Sequence, residues 1–517
     1  WTSLPMRRPG AAATVLPTAR LPAMVRSRKS ALTRRSAVVV VCILAALLLR
    51  TAPLTAPHSL AMVEAAPLDA ERLFNALFAA LATLCLCLKL ATRQRAPDEA
   101  ASGAPPEGKM TSDMHALKLR FLAVFWCFKM ADWLQGPYFY NVYMSKVIDG
   151  EPASTDLVAR FFLMGFGTDA LVGAFLGRLV DGYGRKAGSL GFVVFYSLSA
   201  LSTYSNSLPV LYAGRVAGGI GTSLLFCAPE AWFVGEHQRG GHASRWLSDT
   251  FSVAYVGDSI VAISAGQLAG SVAARGGPTA PFGISLAFLL AGGMAVLATW
   301  RENTASVAAE DGAPPQSAGR RGASIADAWR AMLEDPRILC VGAVQALFEG
   351  AMYVFVLQWP PALIGALPGS DVPFGKVFSC LMAACMVGSS VFGPLVRCQA
   401  VERATAGMLV VAVAAMGVVA RWSTSLSCIL LGFTVFEVCV GFYFPAIGTL
   451  RSKYLPDSHR GVMMAMFRVP LNVLVVGVML TINQLGLQGS LSCSTAALAL
   501  AMLAALRLCA SLQPAGA

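Results

Sequence analysis

The sequence predicts an all-α polytopic membrane protein, and three observations carry that reading. Apolar stretches of about 18 to 25 residues recur from Glu71 to the C-terminus, each long enough to cross a hydrocarbon core of about 30 Å as a helix. Mean hydropathy is +0.62. Hydrophobic residues make up 56% of the chain and charged ones only 13%, against about a quarter in an ordinary soluble protein. Together these argue against a soluble multidomain enzyme. The net charge of +12 could suggest nucleic acid, but its distribution points to membrane topology. Arg7, Arg8, Arg20, Arg26, Arg28, Lys29, Arg34 and Arg35 crowd a leader with no acidic residue before Glu64, and most other cations fall in short loops between spans. The expected partner is therefore a lipid bilayer, not nucleic acid.

Residues 1–60 read as a basic leader. Its segment Ser36–Leu49, SAVVVVCILAALLL, has the length of a signal or transit h-region or of an uncleaved anchor. A transmembrane helix is predicted over 71–95, where ERLFNALFAALATLCLCLKL is closed by Lys89, Arg93 and Arg95; those cations place its C-terminal end in the cytosol. The stretch 96–116, rich in Pro, Gly and Ala, reads as a flexible linker.

A 12-helix body follows, with spans near 118–143, 158–177, 187–205, 208–233, 248–272 and 280–300, then 337–360, 374–396, 404–420, 425–450, 461–484 and 489–510. A charged linker, 301–336, separates an N-terminal six-helix bundle, 117–300, from a C-terminal one, 337–510. This layout is that of two repeats. With the first body helix starting in the cytosol, the outside loops hold only Lys146, Arg160, Arg275, Lys376 and Arg421. The inside loops take the remainder, Arg185, Lys186, Arg301 and Arg451 among them. The pairs Gly173 with Gly177, Gly214 with Gly218 and Gly266 with Gly270 predict close helix packing in lipid. Pro137, Pro360, Pro445 and Pro470 predict kinks and free carbonyls. The cysteines have no metal-ligand spacing and read as buried, inert thiols. No HExxH, Gly-x-Ser-x-Gly or Walker-type loop is present, so no enzyme activity, cofactor or metal is expected.

The loop after the second body helix reads Gly177-Arg-Leu-Val-Asp181-Gly-Tyr-Gly184-Arg185-Lys186. Its glycines permit a tight turn, and Asp181 can accept from cations or a helix N-terminus, so the loop is either a charge latch or an ordinary solvated turn. In this loop the sequence resembles the major facilitator superfamily, whose signature has the same spacing. Arg215-Val-Ala-Gly-Gly219-Ile-Gly221 is similar to that superfamily's pattern of an intramembrane arginine followed by glycines. From Leu117 onward the segments ADWLQGPYFY (131–140), SLLFCAPEAWFVGEH (223–237), QALFEGAMYVFV (345–356), GFYFPAIGTLRSKYLP (441–456) and FRVPLNV (467–473) resemble the molybdate-anion transporter family. The helix before the body is expected of that family and the leader is not; Lys129, Asp169 and Asp258 depart from its pattern, so no family role is carried onto them. The resemblance implies the major facilitator fold and secondary uptake of molybdate or a related oxyanion. A transporter of another small solute, such as a sugar or organic anion, and a non-transporting receptor or scaffold are the alternatives.

Charged side chains inside apolar spans cost at least about 2.5 to 3.5 kcal/mol unless paired or hydrated. Asp132, Glu230, Glu349 and Glu437 are the candidates for proton coupling or a charge network. Asp132 and Glu349, in corresponding helices of the two repeats, are expected to face each other across a central cavity. Arg215 and Arg468 are the expected oxyanion donors, since a guanidinium offers planar bidentate hydrogen bonds. Gln135, Tyr138, Tyr443 and Asn472 could add neutral donors. Fixed ion pairs and packing are the competing reading of all these residues. A plasma-membrane location is expected, with an endomembrane or plastid envelope as alternatives; oligomeric state is left open.

Overall fold

Helix α1, Ala70–Arg93, packs along a helix of the second half of the body. It opens the computed structural model, which describes residues 70–93, 110–304, 325–369, 371–456 and 459–512. The leader 1–60 with its apolar segment, most of the 96–116 linker and residues 305–324 of the second linker lie outside the described residues.

The first half begins with α2, Ser112–Gln135, whose N-cap Thr111 accepts from Met114 N at 3.3 Å. The predicted linker is therefore shorter than 96–116, its last five residues being helical. A 3₁₀ turn at Gly136–Tyr138, where Pro137 lacks an N–H, separates α2 from α3, Phe139–Met144. A two-residue hairpin, β1 Val147–Ile148 and β2 Glu151–Pro152, turns through Asp149 and Gly150 at φ 53° and 89°. Then come α4 (Thr155–Tyr183), α5 (Arg185–Ser202), α6 (Leu208–Arg239), α7 (Ser244–Gly276) and α8 (Ala280–Thr299).

The predicted polar linker 301–336 contains a helix, α9 (Ile325–Glu334), which buries Ala328 and Met332 one turn apart. The second half comprises α10 (Pro336–Ala366), α11 (Phe374–Val396), α12 (Val401–Arg421), α13 (Leu426–Tyr454), α14 (Arg460–Leu480) and α15 (Ile482–Ala510). Among the described residues 10 helices are long and apolar enough to span a membrane, or 11 if the two arms of α4, bent by 49°, form one span. Body helices α2 and α5 fall below that threshold: α2 carries Lys118, Arg120, Lys129 and Asp132, and α5 opens on Arg185 and Lys186. Both are packed inside the first bundle, α2 on α8 and α7, and α5 on α6.

Small residues set the helix spacing, because only close backbone approach maximises contact where lipid and side chain are equally apolar. A Cβ at Gly214 would lie 1.8 Å from Ser202 Oγ, and one at Gly388 1.9 Å from Val438 O. Gly177 is the exception among the predicted pairs, with open space around it. The two halves meet where α7 crosses α11: a Cβ at Gly375 would lie 2.3 Å from Gly266 O, and Ser379 Oγ donates to Ile263 O at 2.8 Å. On the far side of α11, Cys380 Sγ donates to Phe74 O at 3.4 Å and Lys376 pairs with Glu71, which seats α1 parallel to α11. All cysteines among the described residues are free, and Cys87 and Cys398 are exposed, contrary to uniform burial.

Candidate functional site

A cavity of about 270 Å³ lies between the two halves, walled by α3, α4 and α6 on one side and α10 on the other. Phe139, Tyr140, Phe162, Phe166, Tyr353 and Trp359 supply aromatic walls, and Asp169, Arg215 and Thr222 supply polar groups. Phe166 and Tyr353 meet across the two halves with ring centroids 4.7 Å apart. Arg215 is placed by α6 against the bare backbone of α4: a Cβ at Gly165 would fall 2.2 Å from Nη2. Its Nε donates to Phe161 O at 3.1 Å, and its guanidinium carbon stands 4.7 Å from the Phe139 centroid. No carboxylate lies within 4.0 Å of it among the described residues. A half-buried guanidinium without a carboxylate partner, held by one carbonyl and by the rings of Phe139 and Tyr143, the latter at 6.0 Å, keeps most of its donors available.

Arg468 on α14 is exposed and makes no hydrogen bond or ion pair among the described residues. It lies within electrostatic reach of Asp169 on α4, and of Glu349 and Tyr353 on α10. Glu349 accepts from Tyr443 at 2.8 Å and from Arg451 at 3.2 Å, and Arg451 Nε also donates to Gln345 Oε1 at 2.9 Å. Asp132 accepts from Tyr196 of α5. Lys129 pairs with Asp258 at 3.9 Å, and Trp133 Nε1 donates to the same carboxylate at 2.8 Å. Glu230 accepts from Tyr255 at 2.6 Å. Glu437 Oε2 is buried with no hydrogen-bond partner in the structure.

The loop between α4 and α5 is anchored to the end of α8. Gly184 adopts φ 130°, a region that suits glycine, and a Cβ there would also lie 2.4 Å from Glu302 Cδ. Glu302 accepts from the N–H groups of Lys186 and Ala187 at 2.8 and 2.9 Å, so its carboxylate caps the N-terminus of α5. Lys186 Nζ donates to Trp300 O at 2.8 Å, and Asn303 Nδ2 donates to Trp232 O at 3.1 Å and Glu236 Oε1 at 2.9 Å. Asp181 pairs with Arg185 at 2.9 Å within the loop itself. The motif thus ties three helices of the first half together.

Residues 73–442 match the family described as sugar transporters with 12 TM. A molybdate-anion transporter from Takifugu rubripes is 31% identical over 430 residues, which cover 77% of this chain and 85% of that protein. One from Xenopus tropicalis is 32% identical over 359 residues, covering 66% and 74%. The chain belongs to the molybdate-anion transporter family of the major facilitator superfamily. It is a multi-pass integral membrane transporter. Among solved structures, a peptide transporter POT in complex with sulfate superposes with a TM-score of 0.60 at 12% identity, covering 77% of this chain and 94% of that one. The D-xylose–proton symporter gives 0.58 at 12%, covering 76% and 97%. Likeness at that identity shows the fold.

In this member of the family, the residues singled out from sequence separate into groups. Arg215 lines the cavity; Asp132 and Glu349 do not face each other across it. Each bonds inside its own half, because a tyrosine hydroxyl from a neighbouring helix, and for Glu349 also Arg451, reaches it first. Gln135 is buried and donates to Ser285 Oγ at 3.0 Å on α8, away from the cavity. Tyr138 faces a separate cavity of about 750 Å³ shared with Asn141, Phe374 and Lys376. Tyr443 is fully buried beneath Glu349, and Asn472 on α14 lines neither cavity. Glu230 and Glu437 likewise lie off the cavity wall. Arg451, assigned above to a cytosolic loop, belongs to α13. Sequence reasoning missed Tyr353 and Trp359 as cavity walls and Glu302 as the partner of the Gly177–Lys186 loop. The signal for the walls was faint, since aromatic residues in spans are common as packing.

Proposed function

We propose that this transporter is a secondary active carrier that takes up molybdate or a related oxyanion by alternating access, coupled to protons, in the plasma membrane. The observation that carries this reading is Arg215: an intramembrane guanidinium, with no carboxylate partner among the described residues, on the wall of a cavity between the two halves. A dianion needs such a donor, and the planar fork suits an oxyanion edge. The cavity, about 270 Å³, falls below the range of about 300–1,000 Å³ typical of drug-sized ligands, which favours a small solute. Molybdate is the solute named for the relatives above. Arg468, also without an ion-pair partner among the described residues, would extend the positive potential towards the other end of the bundle. The anchored loop at Gly177, Asp181, Gly184, Arg185 and Lys186 would act as the conformational latch.

The aromatic walls support a second reading, since sugar faces stack on such rings. Uptake of labelled molybdate into transport-deficient cells separates the two. Competition by tungstate or sulfate but not by sugars is the result expected; competition by sugars alone, or no molybdate uptake by correctly inserted protein, would overturn the oxyanion assignment.

A further inference from the structure

Asp169 projects into the same cavity as Arg215, and no role above accounts for it. Its Oδ1 accepts a hydrogen bond from Ser223 Oγ of α6, whereas Oδ2 makes none among the described residues. The helices are pressed together at this point: a Cβ at Gly219 would lie 2.5 Å from Gly165 O and 3.0 Å from Asp169 N. The carboxyl is therefore held at the wall, with one oxygen tethered and the other free.

The charged and titratable groups around it are Arg215 and Cys227 on α6, Tyr353 on α10 and Arg468 on α14. Tyr140 of α3 shares the cavity, and its hydroxyl contacts Thr155 Oγ1 at 3.4 Å. On α5, Tyr196 is committed to Asp132. On α15, which also touches α4, the charged residue is Arg507 near the last turn. Glu349 of α10, which also lies within reach of Arg468 and Tyr353, is held by Tyr443 and Arg451 off the wall, so among the described residues Asp169 is the carboxylate that lines the cavity.

An ionised Asp169 opposes a dianion placed beside Arg215, because charges interact strongly where water is scarce. A protonated Asp169 does the reverse: Oδ2–H donates to an oxyanion oxygen while Oδ1 still accepts from Ser223. One guanidinium and one neutral carboxylic acid suit an oxyanion that arrives together with a proton. We propose that Asp169 is the proton-carrying residue of the cavity, so that the oxyanion binds when Oδ2 is protonated and departs when that proton is released on the opposite side. The only bond that forms and breaks is Oδ2–H, made with a proton taken from water on one side and broken by its release to water on the other; one proton moves with each oxyanion. This inference rests on the oxyanion reading above.

The test is the initial rate of labelled molybdate uptake across a series of external pH values. If one proton must bind, wild-type uptake rises by up to about tenfold per pH unit on acidification, and Asp169→Asn flattens that to under about twofold whatever its absolute rate. Arg215→Ala lowers the rate at every pH without changing the slope. Should Asp169→Asn fail to reach the membrane, Ser223→Ala decides: loss of the donor to the ionised carboxylate moves the rise in uptake to higher pH. A wild-type slope in Asp169→Asn, or a wild-type midpoint in Ser223→Ala, overturns the role of Asp169 alone. Absence of wild-type uptake at every pH overturns the oxyanion reading and this inference with it.

Discussion

Arg215 was legible in the sequence because a cation within an apolar span is costly and therefore purposeful. What it faces was not legible, since that depends on Gly165 of a helix 50 residues earlier leaving room for it. Replacing Arg215 by alanine removes a charged donor whose hydrogen bonds are worth about 1.5 to 3 kcal/mol. Molybdate uptake by a normally inserted Arg215→Ala protein is expected to fall by about 10- to 100-fold, with Arg215→Lys recovering only part because it lacks the planar fork. Glu349 makes the contrasting case. Its position in the seventh body helix suggested a cavity acid, but Arg451 and Tyr443 claim it. Removing one partner of such a pair leaves an uncompensated charge, so Glu349→Ala should lower the stability of the purified protein. At 21% and 19% side-chain exposure, the loss should sit towards the lower end of the about 3 to 5 kcal/mol seen for buried pairs. A double replacement of Glu349 and Arg451 by methionine should recover most of it in the same thermal assay.

At the scale of elements, the spacing of the Gly177–Lys186 motif predicted a tight turn, either a charge latch or an ordinary solvated one, and the turn is there. Its anchor, Glu302, lies 116 residues from Lys186 in sequence, and no local pattern links the two. Glu302→Ala removes the carboxylate that accepts from two N–H donors, and a favourable charge, at the N-terminus of α5, which should cost about 1 to 2 kcal/mol and speed hydrogen exchange at Lys186 and Ala187. The start of α10 responds to acid for a related reason. Hydrogen bonds from Arg337, at 2.7 to 3.0 Å, hold the Asp335 carboxyl below its ordinary range. The stabilisation of that cap is present above the usual carboxylate pKa and is lost as pH falls through the lowered one. A thermal-stability profile of the wild type should show this acid limb, and Asp335→Asn should lack it.

For the whole molecule, the alternation of apolar spans and basic loops was enough to read a six plus six layout. The seam between the halves was foreshadowed only by Gly266 and Gly270; their partner, Gly375, lies in the opposite half. Since a side chain at Gly375 would collide with backbone rather than with a movable tip, Gly375→Val should force α7 and α11 apart. Overpacking of this kind costs about 1 to 3 kcal/mol or more, and the expected outcome is a lowered melting temperature in detergent together with loss of uptake.

By itself the chain's pattern of hydropathy and charge determined that this protein is a helical membrane bundle with a helix ahead of two repeats, because spanning length, loop cations and unpaired backbone groups are local matters settled by a bilayer. Which intramembrane charges are paired and which stay available was decided by tertiary structure. Asp132 and Glu349 are satisfied within their own bundles while Arg215 and Asp169 remain at the cavity wall, since a charge is neutralised by whatever reaches it across helices, and that depends on how closely glycines allow those helices to approach.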